Sequence, residues 1–310
     1  MTLIRKPSEL SVQTKIKALI YGQAGTGKST LALSAPNPLM LDFDGGVHRV
    51  SFSHQGPTVQ ITCWEDCENV LKEDLKDFDS LVIDTGGKML DYMAEYIIRK
   101  NSKMGRSNGA LTLQGFGERK GMFRQFCRAI MIMNKHLIFV AHRDTQKNNE
   151  DIRYVPLFGG SSYDDLVTDL DLVGYLEAVG KKRMITFDPS DRNDGKNTCN
   201  LPTLVELPQV VDEKGTGLKN SFLADNVIRP YILNLESRKQ DAGKYEAIIK
   251  DLKEAIELIT DEVSANDFIE RIDAFDHVGN SKAVSGKLLA EKTKVLNLKL
   301  NKTTKKYERG

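Results

Sequence analysis

The sequence predicts an α/β core built around a phosphate-binding loop and a mainly parallel sheet over residues 1–240. A small α-helical domain with a basic tail is expected over residues 241–310. Three observations carry this. Apolar runs that read as buried strands, at 16–21, 39–44, 80–85 and 136–141, alternate with segments of helical periodicity. These runs end in glycine or polar residues, and parallel α/β sheets bind ligands at the carboxyl ends of their strands. Beyond residue 236 only helical stripes remain.

The first element is the most informative. Ile16 to Tyr21 feeds a buried strand into Gly22, Gln23, Ala24, Gly25, Thr26, Gly27, Lys28 and Ser29, which match G-x-x-x-x-G-K-[ST] in full. Thr30 to Ala35 then reads as a short helix stopped by Pro36. In such a loop the backbone N–H groups turn inward around phosphate oxygens. Lys28 is expected at the β- and γ-phosphates, the Ser29 hydroxyl on Mg²⁺, and Thr30 within the cofactor-binding stretch.

Leu39 to Asp44 is the second strand, turned by Gly45 and Gly46. Val70, Leu71, Leu75 and Phe78 space a helix over Trp64 to Phe78, and Ser80 to Thr85 is a strand ending in Asp84. Met89, Leu90, Met93, Tyr96 and Ile97 mark the next helix. A basic, glycine-punctuated loop over 99–109 holds Arg99, Lys100, Lys103 and Arg106. Met122 to Met133 is helical and leads into the strand His136–Ala141, followed by His142. A second polar loop spans Gln146 to Tyr163, with Gly159 and Gly160. Leu172–Leu176 and Arg183–Phe187 form a hairpin turned at Gly180 and Lys181, and prolines at 202, 208 and 230 break the chain into extended pieces. Glu236 to Gly243 reads as a polar connector. Two helical stripes follow, one from Tyr245 to Ile259 and one through Phe268, Ile272 and Phe275, the second capped around Ser264–Asp267. The tail from Lys282 carries a local excess of positive charge.

Composition narrows the class. The chain has 310 residues, 40% of them hydrophobic and 28% charged, with a formal net charge of +1, so any nucleic-acid partner must be met by local clusters. No apolar run approaches a membrane span, and the residues up to Pro7 lack the apolar stretch of a secretion signal; a cytoplasmic location is expected. Cys63, Cys67, Cys127 and Cys199 are scattered, and reduced thiols are expected rather than a metal site.

The order of these parts is that of the RecA-type ATPase core. More closely, the chain resembles the phage-encoded, RecA-related nucleotide-binding proteins of single-strand annealing recombination. The likeness is carried by Gly22–Ser29, Leu41–Gly46, Leu81–Thr85, Ile138–His142, and Pro156–Gly160 leading to Asp171–Val173. It implies a RecA-like P-loop NTPase fold and Mg²⁺-dependent, DNA-stimulated ATP hydrolysis in the cytoplasm of a bacterial host. The implied partners are single-stranded DNA, further copies of the chain in a ring or filament, and phage recombination or replication proteins, with no membrane. It also assigns residues. Asp84 would hold Mg²⁺ with Ser29, and Asp44 would orient the attacking water where the family usually has Glu. Asp42 competes with Asp44, although strand alternation is expected to turn it to the other face. His142 would sense the γ-phosphate. Arg99, Lys100, Lys103 and Arg106 in the first loop, and Arg143, Lys147 and Arg153 in the second, would contact DNA. Lys181, Lys182, Arg183 or Lys196 would supply a positive finger to a neighbour's nucleotide. Two alternatives remain open: an ATP-gated binding and assembly protein with negligible hydrolysis, and a RecA-like helicase or helicase-loader component.

Overall fold

Strand alternation sorts the apolar runs onto the two faces of one sheet. In the computed structural model, which describes residues 3–148, 151–159, 163 and 167–309, Leu19, Leu41, Ile83 and Phe139 enter one core, and Ile20, Met40, Val82 and Ile138 enter another. Strands β1 (Lys17–Gly22), β2 (Pro38–Asp42), β3 (Thr58–Gln60), β4 (Ser80–Asp84), β5 (His136–Asn148) and β7 (Leu172–Val179) lie parallel in the order β7-β1-β5-β4-β2-β3. On the β7 side, β8 (Lys182–Thr186) and β10 (Leu204–Glu206) extend the sheet antiparallel. β6 (Asp151–Pro156) pairs with β5, and β9 (Lys196–Asn197) with β7. The mixed, mainly parallel sheet with helices on both faces is an α/β P-loop NTPase core.

Each face has its own cover. Helix α1 (Lys28–Ala32) and the π-turn Leu223–Ile228 pack on the second core. Helices α2 (Trp64–Val70), α3 (Gly86–Lys100) and α4 (Leu113–Ile132) pack on the first through Trp64, Met89, Met93, Phe123 and Phe126.

Residues 13–232 form one compact unit, and the N-terminal segment through Val12 groups with the chain from Leu233 onward in another. The second unit holds most of α5 (Arg229–Glu257), with α6 (Glu262–Arg271), α7 (Ser281–Val295) and a two-stranded ribbon, β11 (Leu298–Leu300) with β12 (Tyr307–Arg309). Its core gathers Ile248, Leu252, Ile256, Phe268, Leu289 and Tyr307. The ribbon is anchored by Asn266, whose amide donates to the Tyr307 carbonyl at 2.9 Å and accepts from its N–H at 2.7 Å. The basic tail is partly neutralised: Lys282 pairs with Asp273, Lys306 with Glu270 at 3.5 Å and Arg309 with Glu262 at 3.2 Å.

Several expected elements differ. Helix α2 stops at Val70, because Leu75 and Phe78 are used by a turn whose carbonyls bind the Lys135 ammonium. Helix α4 begins nine residues before Met122, capped by Thr112, whose hydroxyl accepts from the Gly115 N–H at 3.2 Å. The polar loop after His142 is a β-hairpin over Arg143–Pro156, and Gly160 lies outside the described residues. The connector at 236–243 is helical, since Glu, Arg, Lys and Gln are good helix formers, and Pro230 follows the π-turn Leu223–Ile228 directly, within one continuous run of helical backbone. Helix α6 is capped by Asp261 rather than near Ser264; Ser264 instead occupies the third helical position and closes a capping box.

Candidate nucleotide site

The phosphate loop leaves β1 at a point fixed by close packing. A side chain at Gly22 would bring a Cβ within 2.1 Å of the Leu176 carbonyl oxygen on β7, so this strand end must be glycine. Gly27 has φ +90° and stands immediately before α1, where only glycine takes that conformation at low cost. Register then sets the neighbours: Gly22 pairs with His142 on one side and Leu176 on the other, and Asp42 pairs with Asp84.

Lys28, Ser29, Asp44, Asp84 and His142 border one cleft of about 270 Å³ with Ala24, Gly25, Gly27 and Thr30. Ser29 Oγ donates to Asp84 Oδ2 at 2.5 Å. The Lys28 ammonium, 6% exposed, donates to the Gln23 carbonyl at 2.8 Å, and the same carbonyl accepts from Thr26 Oγ1 at 2.9 Å. Burial lowers the Lys28 pKa, against the opposing pull of Asp84 and Asp44. Burial pushes the Asp84 carboxyl up to about 6; the Ser29 bond and Lys28 oppose this, and Asp44 and Asp42 add to it. His142, exposed at the edge of the cleft, has its pKa lowered by partial desolvation and by Lys28 and Arg49, against the opposing pull of Asp44.

The two carboxylates after β2 divide their tasks. Asp42 is not turned to the other face: it pairs with Asp84 and shares the parity of Met40, which packs in the same core as Val82. It is withdrawn from the cleft chemistry differently, because its two oxygens accept from the Gly46 N–H at 2.9 Å and the Val47 N–H at 3.0 Å. Asp44 lies beyond the strand in the cleft, 3.5 Å from Arg49. Sequence reasoning missed Arg49 and Thr85 as cleft residues. Arg49 follows the Gly45–Gly46 turn that folds the chain back over Asp44, and that turn was its one available signal.

A bound nucleotide and Mg²⁺ are what the donor set fits. Among the described residues no cluster of three His, Cys, Asp or Glu side chains could cage a metal alone. One hydroxyl and one carboxylate, beside a buried ammonium, instead suit an ion that takes its remaining ligands from phosphate and water.

The family comparison agrees with this geometry. A family model described as an AAA domain matches residues 14–199. The chain belongs to this AAA-domain family. No curated protein matches the chain. The AAA domain is a nucleotide-binding ATPase module, and the matched span holds the whole cleft from Ala24 to His142. Among the described residues no helix is long and apolar enough to cross a membrane.

The remaining predicted site residues of the AAA domain are not gathered at the cleft. Arg99 pairs with Glu65, and Lys100 lies 5.4 Å from the Tyr96 ring; both are on α3 rather than in a loop. Arg143 donates to Tyr175 Oη at 2.8 Å and to Gln23 Oε1 at 3.3 Å, and it stacks 4.1 Å over Tyr154. Arg153 bonds Asp194 through two nitrogens. Lys103, Arg106 and Lys147 are exposed, with no ion pair to another described residue. Lys196 is spent on the Val167 and Thr168 carbonyls, both at 3.2 Å, whereas Lys181, Lys182 and Arg183 border a cavity shared with their own phosphate loop. The four thiols are free, and burial pushes Cys199 up to about 11, as expected of inert cysteines.

Proposed function

We propose that this AAA domain is a Mg²⁺-dependent ATPase of the RecA-related group whose cycle is coupled to single-stranded DNA, acting as an oligomer in phage recombination or strand annealing. The observation that carries the reading is the convergence of Lys28, Ser29, Asp44, Asp84 and His142 on one cleft. Lys28 would leave the Gln23 carbonyl for the β- and γ-phosphates. Ser29 and Asp84 would hold Mg²⁺, which supplies charge neutralisation to the phosphoryl oxygens. Asp44 would orient water, and His142 would donate a hydrogen bond to a phosphate oxygen and report its loss to the β5–β6 hairpin. Lys103, Arg106 and Lys147, exposed and without an ion pair among the described residues, suit contact with a DNA backbone.

One observation favours a second reading, an ATP-gated assembly protein with little turnover: Asp44 is shorter than the usual Glu and is already engaged by Arg49. ATP turnover with and without single-stranded DNA separates the two, in wild type, Lys28→Ala and Asp44→Asn. Stimulation by DNA that vanishes in both variants supports coupled hydrolysis. Tight ATP binding with negligible turnover in wild type supports gating, and equal rates with and without DNA remove the coupling.

A further inference from the structure

The phosphate cleft has two exits of opposite character. On one side Asp44, Thr85 and His142 also border a cavity of about 540 Å³. On the other, Gly25, Gly27 and Thr30 also border a cavity of about 680 Å³ that none of Asp44, Asp84 and His142 touches. A terminal phosphate belongs at the end with the groups proposed to act on it. The rest of the nucleotide must then leave by the second exit.

The far wall there is built by residues 206–222, which lie beyond the family-matched span 14–199. Leu207, Pro208, Val210, Val211 and Phe222 supply its apolar surface together with Leu31 of α1, and Gln209, Glu213 and Asn220 lie among them. It is held in place rather than draped. The Asn220 amide donates to the Thr30 carbonyl at 2.9 Å, the Leu207 N–H to the Arg183 carbonyl at 2.8 Å, and the Leu223 N–H to Ser34 Oγ at 2.9 Å; His54 Nε2 lies 2.6 Å from the Val210 carbonyl. Lys181, Lys182 and Arg183 form the rim, where Lys182 pairs with Glu206 at 2.7 Å, both exposed. An exposed pair of this kind gives way readily to a ligand oxygen. Apolar walls with a few polar groups at the edge are what a flat heteroaromatic ring and its sugar require.

We propose that this cleft takes the nucleoside half of the bound nucleoside triphosphate, with the base against the Leu207–Val211 wall; the proposal rests on the reading of Gly22–Ser29 as a triphosphate site. It assigns base recognition to a segment outside the family domain. Titration calorimetry with Mg-ATP and with Mg-tripolyphosphate tests it, on wild type, Val210→Trp and Pro208→Trp. Pro208 is exposed, so the second variant fills the cleft without entering the core. Both variants are expected to weaken ATP about tenfold or more while tripolyphosphate binding stays within about twofold. Unchanged ATP affinity in variants that melt like wild type overturns the proposal, and so does an equal loss for both ligands. A wild type that binds neither ligand overturns the triphosphate reading itself.

Discussion

The phosphate cleft and the β5–β6 hairpin are both rich in charge, yet the fold treats the two regions in opposite ways. In the hairpin region the two arginines are used up: Arg153 is bonded to Asp194, and Arg143 is shared among Tyr175, Gln23 and the Tyr154 ring. In the cleft, among the described residues, Lys28 is buried against one carbonyl and Asp84 against one hydroxyl, each with its pKa moved by desolvation. Charges satisfied internally stabilise a fold, and charges held partly unsatisfied and out of water are available to a ligand. A cationic residue type in a loop therefore says little, whereas a buried and under-bonded one marks a site.

Four predictions sharpen that contrast. The largest effect is expected at Lys28: Lys28→Ala should lower ATP affinity or turnover by about 100-fold or more, in a protein that unfolds in urea like wild type. Asp84→Asn should separate function from stability. Its folded pKa of about 6 lies above the ordinary carboxylate value of 3.8, so wild type binds the proton more tightly folded than unfolded, and it loses stability as pH rises from about 4 through 6. At pH 7, without nucleotide or Mg²⁺, Asp84→Asn should be more stable by about 2 kcal/mol and should lose Mg²⁺-dependent binding. Urea unfolding at pH 5 and pH 7 measures the first effect, and calorimetry with and without Mg²⁺ the second.

Asp42→Ala, one strand away, should do the reverse. It strips the acceptors from the Gly46 and Val47 N–H groups and should cost about 1–3 kcal/mol of stability by urea unfolding, with nucleotide affinity changed less than in Asp84→Asn. The smallest effects belong to the exposed cations. Single alanines at Lys103, Arg106 or Lys147 should weaken single-stranded DNA binding modestly and lower its salt dependence by about one counterion each. Arg153→Ala should leave that slope unchanged, since its guanidinium is engaged by Asp194.

The parts legible in the sequence were those set by local constraint. Gly22–Ser29, the strand into Asp84 and the hairpin at Gly180 all appear where spacing and turn residues put them, whereas the second strand stops at Asp42, two residues short of the expected Asp44. The β5–β6 ribbon did not, because Arg143–Asn148 has no apolar face for alternation to reveal, and its pairing depends on partners across the hairpin. The helical run over 236–243 was obscured by a polar composition that suits an exposed helix as well as a linker. At the site, residue types and spacing pointed to Lys28 and Asp84, which the fold brings to one cleft. Only packing shows that Asp42 is consumed by a turn and that Arg49 reaches Asp44.

The most direct test of the cleft is a thermal-melt titration of wild type, Lys28→Ala and Asp84→Asn with ATP, with and without Mg²⁺. A ligand that binds only the native state raises the melting temperature with concentration. The predicted result is a rise in wild type that grows with Mg²⁺, is absent in Lys28→Ala, and no longer responds to Mg²⁺ in Asp84→Asn. Equal rises in all three proteins would contradict the assignment of this cleft as the nucleotide site.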